Sequence, residues 1–153
     1  MAQERNENRK SGQHVRDVMT RNPETVSSRD SIRDAARIMK DRDTGVVPVV
    51  DDKKVVGLVT DRDIVVRCIA EGRDVSGATV GDVMTKTVRS VKEDAPVDEV
   101  MQLMSNAQIR RVPVVDKNDV IVGIVSVADL TETGQPSKLG KTMTEISEGS
   151  GNN

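Results

Sequence analysis

The chain repeats itself. Val15-Arg16-Asp17-Val18-Met19-Thr20 returns as Val80-Gly81-Asp82-Val83-Met84-Thr85, and Val47-Pro48-Val49-Val50-Asp51 returns as Val112-Pro113-Val114-Val115-Asp116. Both pairs are displaced by 65 positions (80 − 15 and 112 − 47). One residue is added after Asp116, so that at an offset of 66 Gly57 answers Gly123, Thr60 answers Ser126 and Asp63 answers Asp129. A motif order kept over this length marks a duplicated supersecondary unit. Function is then expected at equivalent positions in both copies, or at the seam between them.

Composition narrows what such a pair can be. The 153 residues suffice for one domain or one closely packed pair of units. Hydrophobic residues make up 35% and the mean hydropathy is −0.45, a profile expected of a soluble protein. No apolar run approaches the roughly eighteen residues of a membrane span. Residues 1–13 are polar and lack the apolar segment of a signal peptide, so the expected location is cytoplasmic, with no membrane partner. A net charge of −2 argues against nucleic-acid binding, which calls for a basic excess. The single cysteine, Cys68, excludes an internal disulfide. Its neighbours Val65, Val66 and Ile69 suggest a buried inert thiol, with redox or intermolecular pairing as the alternative. Phe, Tyr and Trp are all absent. A bound base therefore has no aromatic ring to stack on, and would sit between aliphatic side chains and be read by backbone groups.

Periodicity supplies the elements. Ile32, Ala35, Ala36 and Met39 fall on one helical face, as do Val97, Val100, Met101 and Met104 in the second copy. Asp94 before Pro96 suggests the start of the second of these helices. Residues 46–50 read as a buried strand, Asp51-Asp52-Lys53-Lys54 as a turn, and 55–60 as a second strand; 112–115 and 120–126 repeat that hairpin. A helix is expected from Thr60 to Gly72, where glycine suits the C-terminal cap, with a shorter counterpart from Ser126 to near Gly134. Each copy thus reads as short strand, helix, strand, strand, helix. A three-stranded sheet with two helices cannot bury both faces alone, whereas two stacked copies can. The expected organisation is a tail over residues 1–12, a first repeat over 13–72, a linker over 73–79, a second repeat over 80–134 and a tail over 135–153. Both tails are polar and are expected to be disordered without a partner.

The sharpest local signal is Gly57-Leu58-Val59-Thr60-Asp61-Arg62-Asp63 with its partner Gly123-Ile124-Val125-Ser126-Val127-Ala128-Asp129. Each places a hydroxyl residue at a strand-to-helix junction and an aspartate three residues later. One reading is a capping box, which needs no ligand. The other is a nucleotide site, in which the junction and hydroxyl meet a phosphate and the aspartate takes two ribose hydroxyls. The motif alone leaves both open.

The whole set, in this order and twice, resembles the CBS domain family (cystathionine beta-synthase type). It comprises Asp-Val-Met-Thr, an apolar strand with a central proline and a final aspartate, then Gly, two aliphatics, Thr or Ser, two residues and Asp. The resemblance covers about residues 14 to 134, and the chain is similar to the small standalone CBS-pair proteins of bacteria. It implies an α/β (α+β) fold of two tandem CBS repeats, each a small three-stranded sheet with two helices, packed about a pseudo-twofold axis that leaves two clefts. It also implies an adenine-nucleotide ligand in those clefts, with AMP, ADP, ATP and S-adenosylmethionine as candidates, and a homodimer with four repeats in a disc. Carried over by position, Asp63 and Asp129 would hold ribose hydroxyls and Thr60 and Ser126 would sit by the phosphate. Thr25-Val26 and Ser90-Val91, with Val47 and Val112, would frame the base. Arg111 would reach the phosphates, unless it is a solvated strand-end residue. The first repeat has Val46 in its place, and has Asp61-Arg62 where the second has Val127-Ala128. Arg62 could supply the missing phosphate contact, or Asp61 could repel the phosphate.

Enzymatic readings find no machinery. His14 is the only histidine, no Ser-His-Asp or Cys-His set assembles, and no Cys/His cluster has metal spacing. The expectation is a regulatory nucleotide sensor without catalysis, required cofactor or metal, acting by a change of shape or of affinity for an unidentified protein partner. The alternative is a ligand-free interaction protein of the same family.

Overall fold

The computed structural model describes residues 13–86 and 89–133. The expected tails at 1–12 and 135–153 lie outside the described residues. Short helix α1 (Val15–Val18) leads into strand β1 (Thr20–Arg21), followed by helix α2 (Ile32–Arg42), strands β2 (Val46–Asp51) and β3 (Lys54–Thr60), and one α-turn, α3 (Asp61–Asp63), that continues as a π-helix (Ile64–Ile69). The order then recurs as α4 (Val80–Val83), β4 (Val91–Lys92), α5 (Val97–Ala107), β5 (Arg111–Val115), β6 (Ile121–Ser126) and a 3₁₀ helix (Ala128–Thr133). This is the mixed α/β architecture of small sheets and helices that the repeats imply.

Packing groups these elements in a way the repeat boundaries do not reveal. One compact unit, here the first-repeat unit, is Asn22–Arg89 with Asp119–Ile121. The second-repeat unit joins the described residues up to Arg21 to Ser90–Asn118 and to those from Val122 onward. The opening segment of the chain therefore belongs with the second repeat, and the Asp82-Val83-Met84-Thr85 segment with the first. In the second-repeat unit β1 pairs antiparallel with β6, giving a four-stranded sheet of order β1-β6-β5-β4. In the first-repeat unit the β2–β3 hairpin is flanked by single bridges, Leu58 to Thr85 on one side and Val26 to Val49 on the other. Each sheet thus gains an edge beyond the three strands expected, supplied by the segment that opens the other repeat.

Each unit has its own aliphatic core. Val26, Ile32, Ala35, Val47, Val49, Val59, Cys68, Val80 and Val83 cluster in one. Val15, Met19, Val97, Val100, Met104, Val112, Val114, Val125 and Leu130 are among the cluster in the other. The face of α5 is the one expected, whereas in α2 Ala36 is exposed and Ile38 packs inward beside Met39. The first amide of α5, at Val97, donates to the Gln13 carbonyl at 3.0 Å, so the strap before α1, and not Asp94, receives that helix start. Both long helices stop at a non-glycine residue in the left-handed region, Asp43 (φ 51) and Gln108 (φ 55), whose amides close on Met39 and Met104.

The helix after Thr60 also departs from expectation. Its π character shows in the bonds Ala70 N–H to Val65 C=O (2.8 Å) and Arg73 N–H to Cys68 C=O (2.9 Å), and Gly72 ends it at φ 75. Cys68 is fully buried, as expected. Of the other side chains on this helix, Ile64 packs toward the core, and Val65, Val66 and Ile69 remain exposed at 54%, 42% and 59%.

Candidate functional site

Each unit carries one complete set of the residues singled out above. In the first-repeat unit Thr60 ends β3 opposite Val46, the first residue of β2. The next amide, of Asp61, donates to the Gly45 carbonyl at 3.0 Å. In the second-repeat unit the matching amide, of Val127, donates to the Arg110 carbonyl at the same 3.0 Å. The two strand-to-helix junctions are therefore built alike, bond for bond.

The capping box is made in both. The Thr60 amide donates to Asp63 Oδ2 and the Asp63 amide to Thr60 Oγ1, each at 3.0 Å. The Ser126 amide donates to Asp129 Oδ2 at 2.8 Å and the Asp129 amide to Ser126 Oγ at 3.3 Å. This orients the carboxylates without exhausting them, since an ionised carboxylate offers about four acceptor positions. Asp63 Oδ1 has only the Arg67 guanidinium at 3.9 Å, and Asp129 Oδ1 takes no hydrogen bond from any described residue. The same geometry thus caps a helix and leaves the second carboxylate oxygen outside the box.

The remaining residues of the set divide by exposure. Thr25, Ser90 and Arg62 are exposed, while Thr60, Ser126 and Arg111 are half-buried. Val47 and Val112 are fully buried, and Val26 and Val91 nearly so, all within the two cores. Their side chains are thus taken up by core packing. Asp61 resolves toward the helix start: its Oδ1 accepts the Arg62 amide at 2.8 Å, and its Oδ2 lies 3.1 Å from where a Cβ on Gly45 would stand.

Three contacts around the site were not anticipated. Arg67 spans from Asp63 to the Met84 carbonyl, to which its Nη1 donates at 3.1 Å. The Thr85 hydroxyl reaches Asp63 Oδ2 at 3.5 Å. The helical i,i+4 spacing of Asp63 and Arg67 was the available signal for the first. The third is Asp51, which accepts the Ser28 hydroxyl at 2.6 Å, the Ser28 amide at 3.1 Å and the Ser27 hydroxyl at 2.9 Å, tying the segment after Val26 to the end of β2. The Ser28 hydroxyl foremost, then the Ser28 amide and the Ser27 hydroxyl, hold the Asp51 carboxyl below its ordinary range. Among the described residues no group of three His, Cys, Asp or Glu side chains could hold a metal ion. No helix among them is long and apolar enough to cross a membrane.

Residues 15–69 and 80–134 each match the CBS domain family. The uncharacterized protein YlbB of Bacillus subtilis (strain 168) is 42% identical over 138 residues, which are 88% of this chain and 92% of that protein. The crystal structure of the CBS domain pair of protein MJ0100 in complex with 5′-methylthioadenosine and S-adenosyl-L-methionine is 36% identical and superposes with a TM-score of 0.69, over 78% of this chain and 98% of that one. The crystal structure of CBSX2 in complex with AMP is 28% identical, with a TM-score of 0.68 over 83% of this chain and 99% of that one.

Proposed function

The chain belongs to the CBS domain family, and on that premise we propose that it is a regulatory module that binds an adenosine-derived ligand and reports it through a change of shape or of partner affinity. One observation carries this reading: the duplicated strand end, where Asp63 and Asp129 are fixed by matching capping boxes and each keeps a carboxylate oxygen available. Similar CBS pairs hold 5′-methylthioadenosine, S-adenosylmethionine or AMP, which supports an adenosine ligand here. In this reading Asp63 and Asp129 accept ribose hydroxyls. Thr60 and Ser126 lie toward the phosphate or sulfur end, and backbone beside Val26, Val47, Val91 and Val112, with Thr25 and Ser90, borders the base. No proton transfer or covalent step is involved, and a cytoplasmic site of action fits a small-molecule sensor.

Ligand binding can shift the protein only by the difference in affinity between its two conformations. Equilibrium dialysis against labelled AMP, ATP and S-adenosylmethionine tests the reading. Saturable binding of at least one is expected, and its absence for all would leave the capping boxes with a structural role alone.

A second reading, an interaction protein, is favoured by exposed Val65, Val66 and Ile69 on one short helix. The two readings meet if that helix mediates a homodimer. Sedimentation at tens of micromolar is expected to give a dimer, and a monomer there would remove the role assigned to this helix.

A further inference from the structure

The two junctions share their backbone and differ in charge. The bond from Asp61 N–H to Gly45 C=O and the bond from Val127 N–H to Arg110 C=O, both 3.0 Å, make residues 45, 46, 61 and 62 the counterparts of 110, 111, 127 and 128. The first set is Gly45, Val46, Asp61 and Arg62, with charges summing to zero (−1 + 1); the second is Arg110, Arg111, Val127 and Ala128, which sum to +2. The first-repeat sum is also unevenly placed. The Asp61 carboxylate is folded onto the junction, over Gly45 and onto the Arg62 amide, while the Arg62 side chain is exposed. A Cβ on Gly45 would lie 3.1 Å from Oδ2 and would crowd that carboxylate. In the second-repeat unit Val127 is buried and carries no charge. Neither Arg110 nor Arg111 forms an ion pair with any described residue.

We propose that the two sites select ligands of opposite character: the second-repeat site takes a phosphorylated adenosine, and the first-repeat site takes an adenosine without phosphate, neutral or cationic, such as a thioether or sulfonium nucleoside. The inference rests on the adenosine-binding reading above and adds the ligand class at each site. A phosphate entering the first-repeat junction meets a carboxylate that already holds the amide it would need. A phosphate entering the second meets no carboxylate at that place, and Arg110 and Arg111 stand at the start of the adjoining strand, with guanidinium forks of the kind that match phosphate oxygens. A cationic sulfonium reverses both preferences. The chain would then read two adenosine ligands at once, one by each repeat.

The test is calorimetric titration of the full chain with ADP, and separately with 5′-methylthioadenosine, in the wild type, in Arg110→Ala/Arg111→Ala and in Asp61→Asn. The arginine double variant is expected to weaken ADP by about ten- to a hundredfold, the scale of a lost charged hydrogen bond, and to leave 5′-methylthioadenosine within about twofold. Asp61→Asn is expected to add a second ADP event that the wild type lacks. Raising the salt from ~50 to ~500 mM should shrink both differences. Asp61 is exposed, so its variant gives a reading even if the arginine variant fails to fold. Binding of both ligands with affinities that none of these substitutions alters would overturn the charge selection and leave the adenosine reading standing. No binding of either ligand by any of the three proteins would overturn that reading, and the selection with it.

Discussion

Gly57 lies so close to Met84 that a methyl group added to the glycine would stand 2.9 Å from the methionine sulfur and 2.6 Å from the Thr85 carbonyl oxygen. Gly123 stands in the same relation to Met19, at 2.5 Å from the sulfur. The glycine that opens each Gly-x-x-Thr/Ser motif is thus the seat of the methionine from the Asp-Val-Met-Thr segment that opens the other repeat. Gly57→Ala and Gly123→Ala are each expected to destabilise by about 1–3 kcal/mol, the usual cost of overpacking. Gly77→Ala, where the added methyl would meet nothing nearer than 4.0 Å, serves as the control. Urea unfolding followed by circular dichroism measures all three, and equal midpoints would mean that the seat is loose.

The two left-handed helix ends make a prediction of opposite sign. Gln108 (φ 55) and Asp43 (φ 51) hold a conformation that suits glycine. Gln108→Gly is expected to stabilise by about 1 kcal/mol, because the left-handed region costs a residue with a Cβ about that much. A lower melting temperature for this variant would show that the Gln108 side chain supports the fold in some other way.

Acid should loosen the tie between Asp51 and the Ser27-Ser28 segment. The Asp51 carboxyl sits below its ordinary value of 3.8, chiefly through the Ser28 hydroxyl. A carboxyl depressed on folding contributes stability that is present above its unfolded pKa and is lost as pH falls through the folded one. Ser28→Ala should therefore be less stable than the wild type near neutrality, with the difference closing as pH falls through the lowered folded value. Denaturant unfolding at several pH values measures it, and a difference independent of pH would assign the effect to packing.

Asp63 and Asp129 are expected to separate capping from ligand binding. Asn keeps an acceptor oxygen for the Thr60 or Ser126 amide, so Asp63→Asn and Asp129→Asn should shift stability by only about 0.5 kcal/mol. Ribose binding loses a charged acceptor, worth about 1.5–3 kcal/mol. Comparing melting temperature with affinity in the same variants checks this. Full affinity in the double variant would make both aspartates purely structural.

Much of this was legible in the sequence. The duplication was open to view, the 3.6-residue stripe placed Val97, Val100, Met101 and Met104 inward, and the hydroxyl–aspartate spacing located both capping boxes. What stayed hidden is long-range. Nothing local says that Met19 packs on Gly123 or that Thr85 bridges to Leu58, because the two copies of each motif are interchangeable as text and only packing decides which partner they take. The π-helix after Asp63 was hidden for another reason: its apolar residues satisfy an α-helical stripe equally well, and only the five-residue bonds at Ala70 and Arg73 distinguish it. At the first-repeat junction, the bond from the Arg62 amide to the Asp61 carboxylate turned an ambiguous charge pair into a directed one, which composition could not do.

Ligand-dependent thermal stability decides whether the chain is an adenosine-ligand sensor. The chain has no Trp or Tyr, so the melting curve is read by calorimetry, circular dichroism or an added dye. A ligand that binds only the folded protein adds about 2.7 kcal/mol at one hundred times its dissociation constant, a rise of several degrees for a protein of this size. Such a rise is expected with at least one of AMP, ADP, ATP and S-adenosylmethionine. An unchanged melting temperature with all four, each at ~1 mM, would contradict it.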